Sequence, residues 1–223
     1  MKKNRTTKII YLLIAISLFI ASKYAEAHFH SDLEGKIKFF SILINSIFVA
    51  YYYCVFHDSE TKKIDLIAYG LFLTVIGDYF LTYKGTEEYY LPGIIFFCLV
   101  QFLYMIYIKP KAIEYIFRCL LFITGIIILI HYKQLSILTF FGLLDIVMII
   151  FNTISSWLSK NVPLLFKLGI TLFTCCDVSL MISNIAHGNI SHIFFWLVWC
   201  FYGPSQILIT MSYIQSCEKK TLQ

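Results

Sequence analysis

The sequence predicts an all-α polytopic membrane protein of eight transmembrane helices, and three observations carry that prediction. The 223 residues are 59% hydrophobic and only 14% charged, with a mean hydropathy of +0.77, far too apolar for a soluble domain of this length. Eight apolar runs each come close to the roughly 20 residues that cross a bilayer. The connections between them are short, so residues 1–223 form one integral membrane domain with no room for a nucleotide fold or a nucleic-acid surface.

Taken in order, the runs lie at 9–24, 39–56, 64–83, 90–108, 112–131, 134–153, 162–184 and 192–215. The first follows KKNRTTK and precedes Ala25-Glu26-Ala27. It therefore reads either as a first helix or as a signal peptide with a small-residue cleavage site, which would leave seven helices. The third run carries Asp78, the sixth Asp145 and the seventh Asp177. The fifth opens with Glu114 and Arg118, an i,i+4 pair read as mutually neutralising. The eighth contains Pro204, a proline deep in a span.

The net charge of +5 reports topology rather than a partner. Sorted by alternate connections, Lys2, Lys3, Arg5, Lys8, Lys62, Lys63, Lys109, Lys111, Lys160, Lys219 and Lys220 fall on one side. Lys23, Lys36, Lys38, Lys84 and Lys133 fall on the other. Basic loops stay in the cytoplasm, so both termini are expected there, in a multi-pass cell-membrane protein taken to belong to a bacterial inner membrane.

Seven cysteines form no CxxC pair and read as small buried hydrophobes, Cys175-Cys176 included, since adjacent helical positions point about 100° apart. His28, His30, His57, His131, His187 and His192 fall at helix ends or in loops, and no HExxH occurs. No metal site or cofactor is expected from these patterns.

Asp78 raises the functional question, because a carboxylate at membrane depth is costly unless it faces a protein interior or a wet cavity. An internal similarity gives it a counterpart. GLFLTVIGDYFL (70–81) and GITLFTCCDVSL (169–180) share G-x-x-L-x-x-x-x-D-x-x-L, and FFCLVQFLY (96–104) and FFWLVWCFY (194–202) share F-F-x-L-V-x-x-x-Y. Gly70 to Gly169 and Asp78 to Asp177 are each 99 positions apart, and Tyr104 to Tyr202 is 98. The halves 1–108 and 109–223 therefore read as a parallel repeat. It would set Asp78 and Asp177 at equal depth, about 8–10 Å below the ends of their helices, facing one cavity. Gln101 with Tyr104, Tyr202 with Gln206, and Asn184 beyond Asp177 supply same-face polar side chains. Thr74, Thr82 and Thr174 read as helix-to-helix glue. Asp145 has no acidic counterpart, since Ser46 stands at that offset, and it either lines the same cavity or stands apart.

These residues resemble the YhhN family of membrane proteins, which includes the lysoplasmalogenases. The family's Gly-Asp near a helix end appears as Gly77-Asp78, its later Ser-Asp as Cys176-Asp177, and its closing Tyr-x-x-x-Gln as Tyr202 to Gln206. Gln101 stands where the family commonly has a histidine three residues before a tyrosine, and its Lys-Pro is at best Lys38-Phe39. The resemblance implies hydrolysis of the vinyl ether bond of lysoplasmalogen to a fatty aldehyde and a glycerophospho-headgroup, with no known metal requirement. Asp78 and Asp177 would be the catalytic pair. The partners would be a lysophospholipid substrate and membrane lipid, with Gln101, Tyr104, Asn184, Tyr202, Gln206 and Asp145 as candidate substrate contacts. The alternative is a small-molecule or proton-coupled transporter or channel using the same aspartates.

Overall fold

The computed structural model describes residues 2–28, 32–56, 62–84, 86–185 and 188–220. Among these residues the chain forms eight helices, each long and apolar enough to cross a membrane, and no strand. They are α1 (Lys2–His28), α2 (Asp32–Phe56), α3 (Lys62–Asp78), α4 (Glu87–Ile108), α5 (Ala112–His131), α6 (Ile137–Leu158), α7 (Leu164–Ile185) and α8 (Asn189–Lys220). A π-helical segment, Tyr79–Lys84, continues α3 without a break. Lys8 of α1 pairs with Glu218 of α8, so both terminal helices begin and end at one face, called here the terminal face.

The packing has a centre and a periphery. α8 lies against α1, α2, α3 and α7, and α4 lies against α3 and α6. α5 touches only α6. Its outward residues Ile116, Phe117, Leu120 and Ile127 are exposed, as a helix bathed in lipid should be. α1 belongs to the bundle: Tyr11 is buried and its hydroxyl donates to Asn45 Oδ1 of α2 (2.9 Å).

Several helices outrun the hydropathy runs, α1 from Lys2 and α8 to Lys220 among them, and three of the shifted boundaries have a polar reason. α2 starts at Asp32 rather than 39, because Glu34 and Glu26 both pair with Lys38 and let the lysine enter the helix. α6 starts at Ile137, where Ser136 and Thr139 form a reciprocal cap. It then runs on to Leu158, because the polar stretch past Phe151 turns inward. Asn152 Oδ1 accepts from Arg118 (2.9 Å) and its Nδ2 donates to Gln101 Oε1 (3.1 Å), while Ser155 accepts from Arg118 (3.2 Å) and donates to Glu114. Glu114 and Arg118 are thus joined through Ser155 rather than directly, and together they fasten the otherwise loose α5 to the bundle.

Backbones meet closely where glycine permits. A Cβ on Gly169 would stand 2.7 Å from Ile209 Cγ1 and 3.1 Å from both Ser205 O and Ile209 N, so α7 and α8 approach almost backbone to backbone. Gly142, with nothing within 4 Å of such a Cβ, faces open space. Gly169→Ala should cost about 1–3 kcal/mol by overpacking. Gly142→Ala should be neutral or stabilise by up to about 1 kcal/mol through helix propensity. Thermal unfolding in detergent checks this, and equal melting of the two variants would contradict the packing.

Candidate functional site

Asp78 is the last residue of α3 before the π-helical segment, about 9 Å from the end of the span at 1.5 Å per residue. π-helical insertions are frequent at functional sites because they rotate the following side chains out of the ordinary register. The Asp78 side chain is only 3% exposed. Tyr202 of α8 donates its hydroxyl to Asp78 Oδ2 at 2.5 Å, and Thr82 also hydrogen-bonds the carboxyl. Rings close the space around this contact: Trp199, Phe173 and Phe97 pack on Tyr202 with centroids 5.6, 5.5 and 6.3 Å away. Pro204, two residues beyond Tyr202, removes the N–H that would bind the Cys200 carbonyl, leaving a backbone acceptor next to the site.

Two further carboxyls gather here. Asp177 of α7 lies within electrostatic reach of both Asp78 and Asp145, and the adjacent Cys176 thiol hydrogen-bonds it. The buried Cys176 of α7 lies within electrostatic reach of all three aspartates, Asp78 of α3 and Asp145 of α6 included. Asp177 Oδ2 and Asp145 Oδ1 are buried with no hydrogen-bond partner among the described residues. Asp145 therefore belongs with the other two. Among the described residues no three His, Cys, Asp or Glu side chains converge closely enough to hold one metal ion.

The remaining candidates separate by depth. Gln206 lies one turn from Tyr202 on the same face and is fully buried. Gln101 is tied to Asn152 in the network that holds α5. Tyr104 packs its ring against Gly70 and Phe166, well below Asp78. Asn184 is exposed near the end of α7. Tyr104 and Tyr202, matched in the internal alignment, thus have different surroundings: only Tyr202 binds an aspartate. Thr153 and Thr174 join α6 to α7 through their hydroxyls (2.6 Å), the gluing role expected of Thr174.

Three residues take places in the structure that the sequence does not assign them. Lys38 is 8% exposed and sits over the Trp199 ring at 5.5 Å, which links a charged cluster of Lys23, Glu26 and Glu34 to the aromatic shell of Tyr202. Trp199 itself donates from its indole nitrogen to Ser22 of α1. Asp65, in the first turn of α3, is 0% exposed and accepts from Tyr213 (3.3 Å). Of the three, only Asp65 is an ionisable residue inside an apolar run, while Lys38 stands just outside one and Trp199 reads as an ordinary apolar residue. Of the histidines, His131 ends α5 and His192 lies in the first turn of α8, while His30, His57, His187 and the His28 side chain lie outside the described residues.

The model of the YhhN family matches residues 36–213. The chain belongs to the YhhN family. The match spans α2 through most of α8, so it includes Lys38, Asp78, Cys176, Asp177, Tyr202 and Gln206. No curated protein and no solved structure gives a significant match. In this YhhN protein the Gly77-Asp78 and Tyr202-to-Gln206 motifs meet through the Tyr202 hydroxyl.

That contact can be weighed. In a double-mutant cycle, Tyr202→Phe and Asp78→Asn should show a coupling of about 1–3 kcal/mol, since removing one partner strands the other in an apolar site. Tyr104→Phe with Asp78→Asn should be additive to within about 0.5 kcal/mol. Unfolding free energies measured in mixed micelles decide it, and equal coupling in the two cycles would refute the geometry.

Proposed function

We propose that this YhhN-family protein is a membrane hydrolase that cleaves the vinyl ether bond of a lysoplasmalogen. The observation that carries the reading is a buried carboxyl, Asp78, held by Tyr202 and sharing its surroundings with Asp177 and Asp145. Family membership supports a lysoplasmalogenase type of protein. The excess of lysine and arginine at the terminal face supports placing that face in the cytoplasm.

Vinyl ether hydrolysis needs a proton donor and an anion. Protonation at the alkene carbon next to the ether-bearing one gives an oxocarbenium ion; water adds to it, and the hemiacetal collapses to an aldehyde and an alcohol. The proton given up by the donor is restored by the water, so the reaction is balanced without another reagent. The same division between a protonated and an ionised carboxyl group operates in glycoside hydrolysis. Tyr202 and Thr82 both hydrogen-bond Asp78, the arrangement that suits the anion. Asp177 has an oxygen with no donor aimed at it and a second carboxyl, Asp145, nearby, the arrangement that suits a proton carrier. Aromatic and aliphatic side chains around them would take the alkenyl chain from the bilayer.

Purified protein incubated with lysoplasmalogen should release fatty aldehyde, remain active in chelator, run more slowly in D2O, and leave the matched ester lysophospholipid largely intact. Asp78→Asn and Asp177→Asn should each lower aldehyde release by at least about 10²-fold with folding retained, and Asp145→Asn by less. Comparable fatty acid release from the ester, or full activity in either of the first two variants, would overturn the reading.

A further inference from the structure

α3 and α8 meet through a second tyrosine and aspartate besides Tyr202 and Asp78. Asp65 and Asp78 are 13 residues apart on α3, about 20 Å along the axis. Their tyrosines, Tyr213 and Tyr202, are 11 apart on one face of α8. Both aspartates are buried, one near each end of the span.

The side chains between them are polar where lipid-depth packing would favour Leu or Val. Gln206 is 0% exposed, and both its Oε1 and its Nε2 lack a hydrogen-bond partner among the described residues. Tyr104, packed on Gly70 at a depth between the two aspartates, sets its hydroxyl beside that of Thr74. Thr210, four residues beyond Gln206, lies beside the hydroxyl of Tyr11, which donates to Asn45. Polar glue between helices pairs its groups with one another, and an unpaired amide at membrane depth costs several kcal/mol. Polar groups in such positions are satisfied by water, and a hydroxyl that both accepts and donates passes a proton along without holding a charge.

We propose that α8 lines a hydrated proton path joining Asp65 at the terminal face to Asp78, through Tyr213, Thr210, Gln206 and Tyr202. At each step one O–H bond breaks and another forms, with water carrying the proton past the Gln206 amide; a proton taken up at one aspartate is matched by one released at the other, and nothing is oxidised or reduced. Each end adjoins further polar groups. Asp65 lies within electrostatic reach of Tyr53, whose hydroxyl meets that of Tyr69 at 3.0 Å on an exposed edge. Asp78 neighbours the half-buried Asp177.

The path does not depend on which bond the protein cleaves, and its test uses no lipid substrate beyond the vesicle. The purified chain is reconstituted into liposomes holding a pH-sensitive dye, and a potassium gradient with valinomycin sets a membrane potential. Wild-type vesicles should change internal pH faster than empty ones, and Gln206→Leu and Asp65→Asn should each fall to the empty-vesicle rate while eluting as the wild type does on gel filtration. Asp65→Asn keeps size and shape and decides the matter if leucine at 206 prevents folding. A wild-type rate equal to that of empty liposomes, or a wild-type rate retained in either folded variant, would overturn the path. Loss of the path would leave aldehyde release untouched as a question, and the reverse holds equally.

Discussion

The hydrogen bond from Tyr202 to Asp78 fixes the centre of the molecule, because it satisfies a buried carboxyl group in a bundle surrounded by lipid, where leaving one unpartnered is costly. Satisfying Asp78 requires α8 to lie against α3 at one register. That register puts Trp199 under Lys38 on α2, and it puts Tyr213 beside Asp65. Gly169 then lets α7 close on α8 almost at backbone contact, which brings Cys176 and Asp177 to the depth of Asp78. Polar contacts thus set the register that apolar contacts fill.

The same constraint explains the edges of the bundle. In water α5 would be held by its hydrophobic face, but lipid removes that driving force. What remains is close packing, with Phe122 on Phe140 and Gly125 against Leu143, and the small hydrogen-bonded network of Glu114, Ser155, Arg118 and Asn152, with Gln101 behind it. At the face opposite the termini, Lys23, Glu26, Glu34 and Lys38 neutralise one another where α1 and α2 emerge. Among the described residues, the ionisable groups that enter the bundle are of two kinds. Some are paired to hold helices together, and a few, Asp177 and Asp145 above all, keep an oxygen without a donor.

Hydropathy made the eight helices legible, since each run had to be long enough to span and had to be separated from the next. It misplaced the ends of α2 and α6, because a polar residue inside a helix and one in a loop look alike until a partner is known; Asn152 and Ser155 are inward only because Arg118, more than thirty residues away, reaches them. Asp78 and Asp177 stood out through their shared offset, whereas Asp145 lacked a counterpart and its membership needed the crossing of α6 and α7. Asp65 follows two lysines and looks like an ordinary acid at a helix start; its burial is made by Tyr213, 148 residues along the chain. Trp199 stands in the alignment where Gln101 stands in the first half, so the two halves place different side chains beside their tyrosines, and only one of those tyrosines reaches an aspartate.

The central claim is that Asp78 and Asp177, brought together from α3 and α7, act on one bond of one lipid. The most direct measurement is an experimental structure of the protein bound to a saturated alkyl ether lysolipid, which has the shape of the substrate but no double bond to protonate. The account predicts the ether oxygen and the adjoining two carbons lodged between the two carboxyl groups, beside Tyr202, with the chain leading out between helices. A lipid bound elsewhere, or either aspartate turned toward the bilayer, would contradict it.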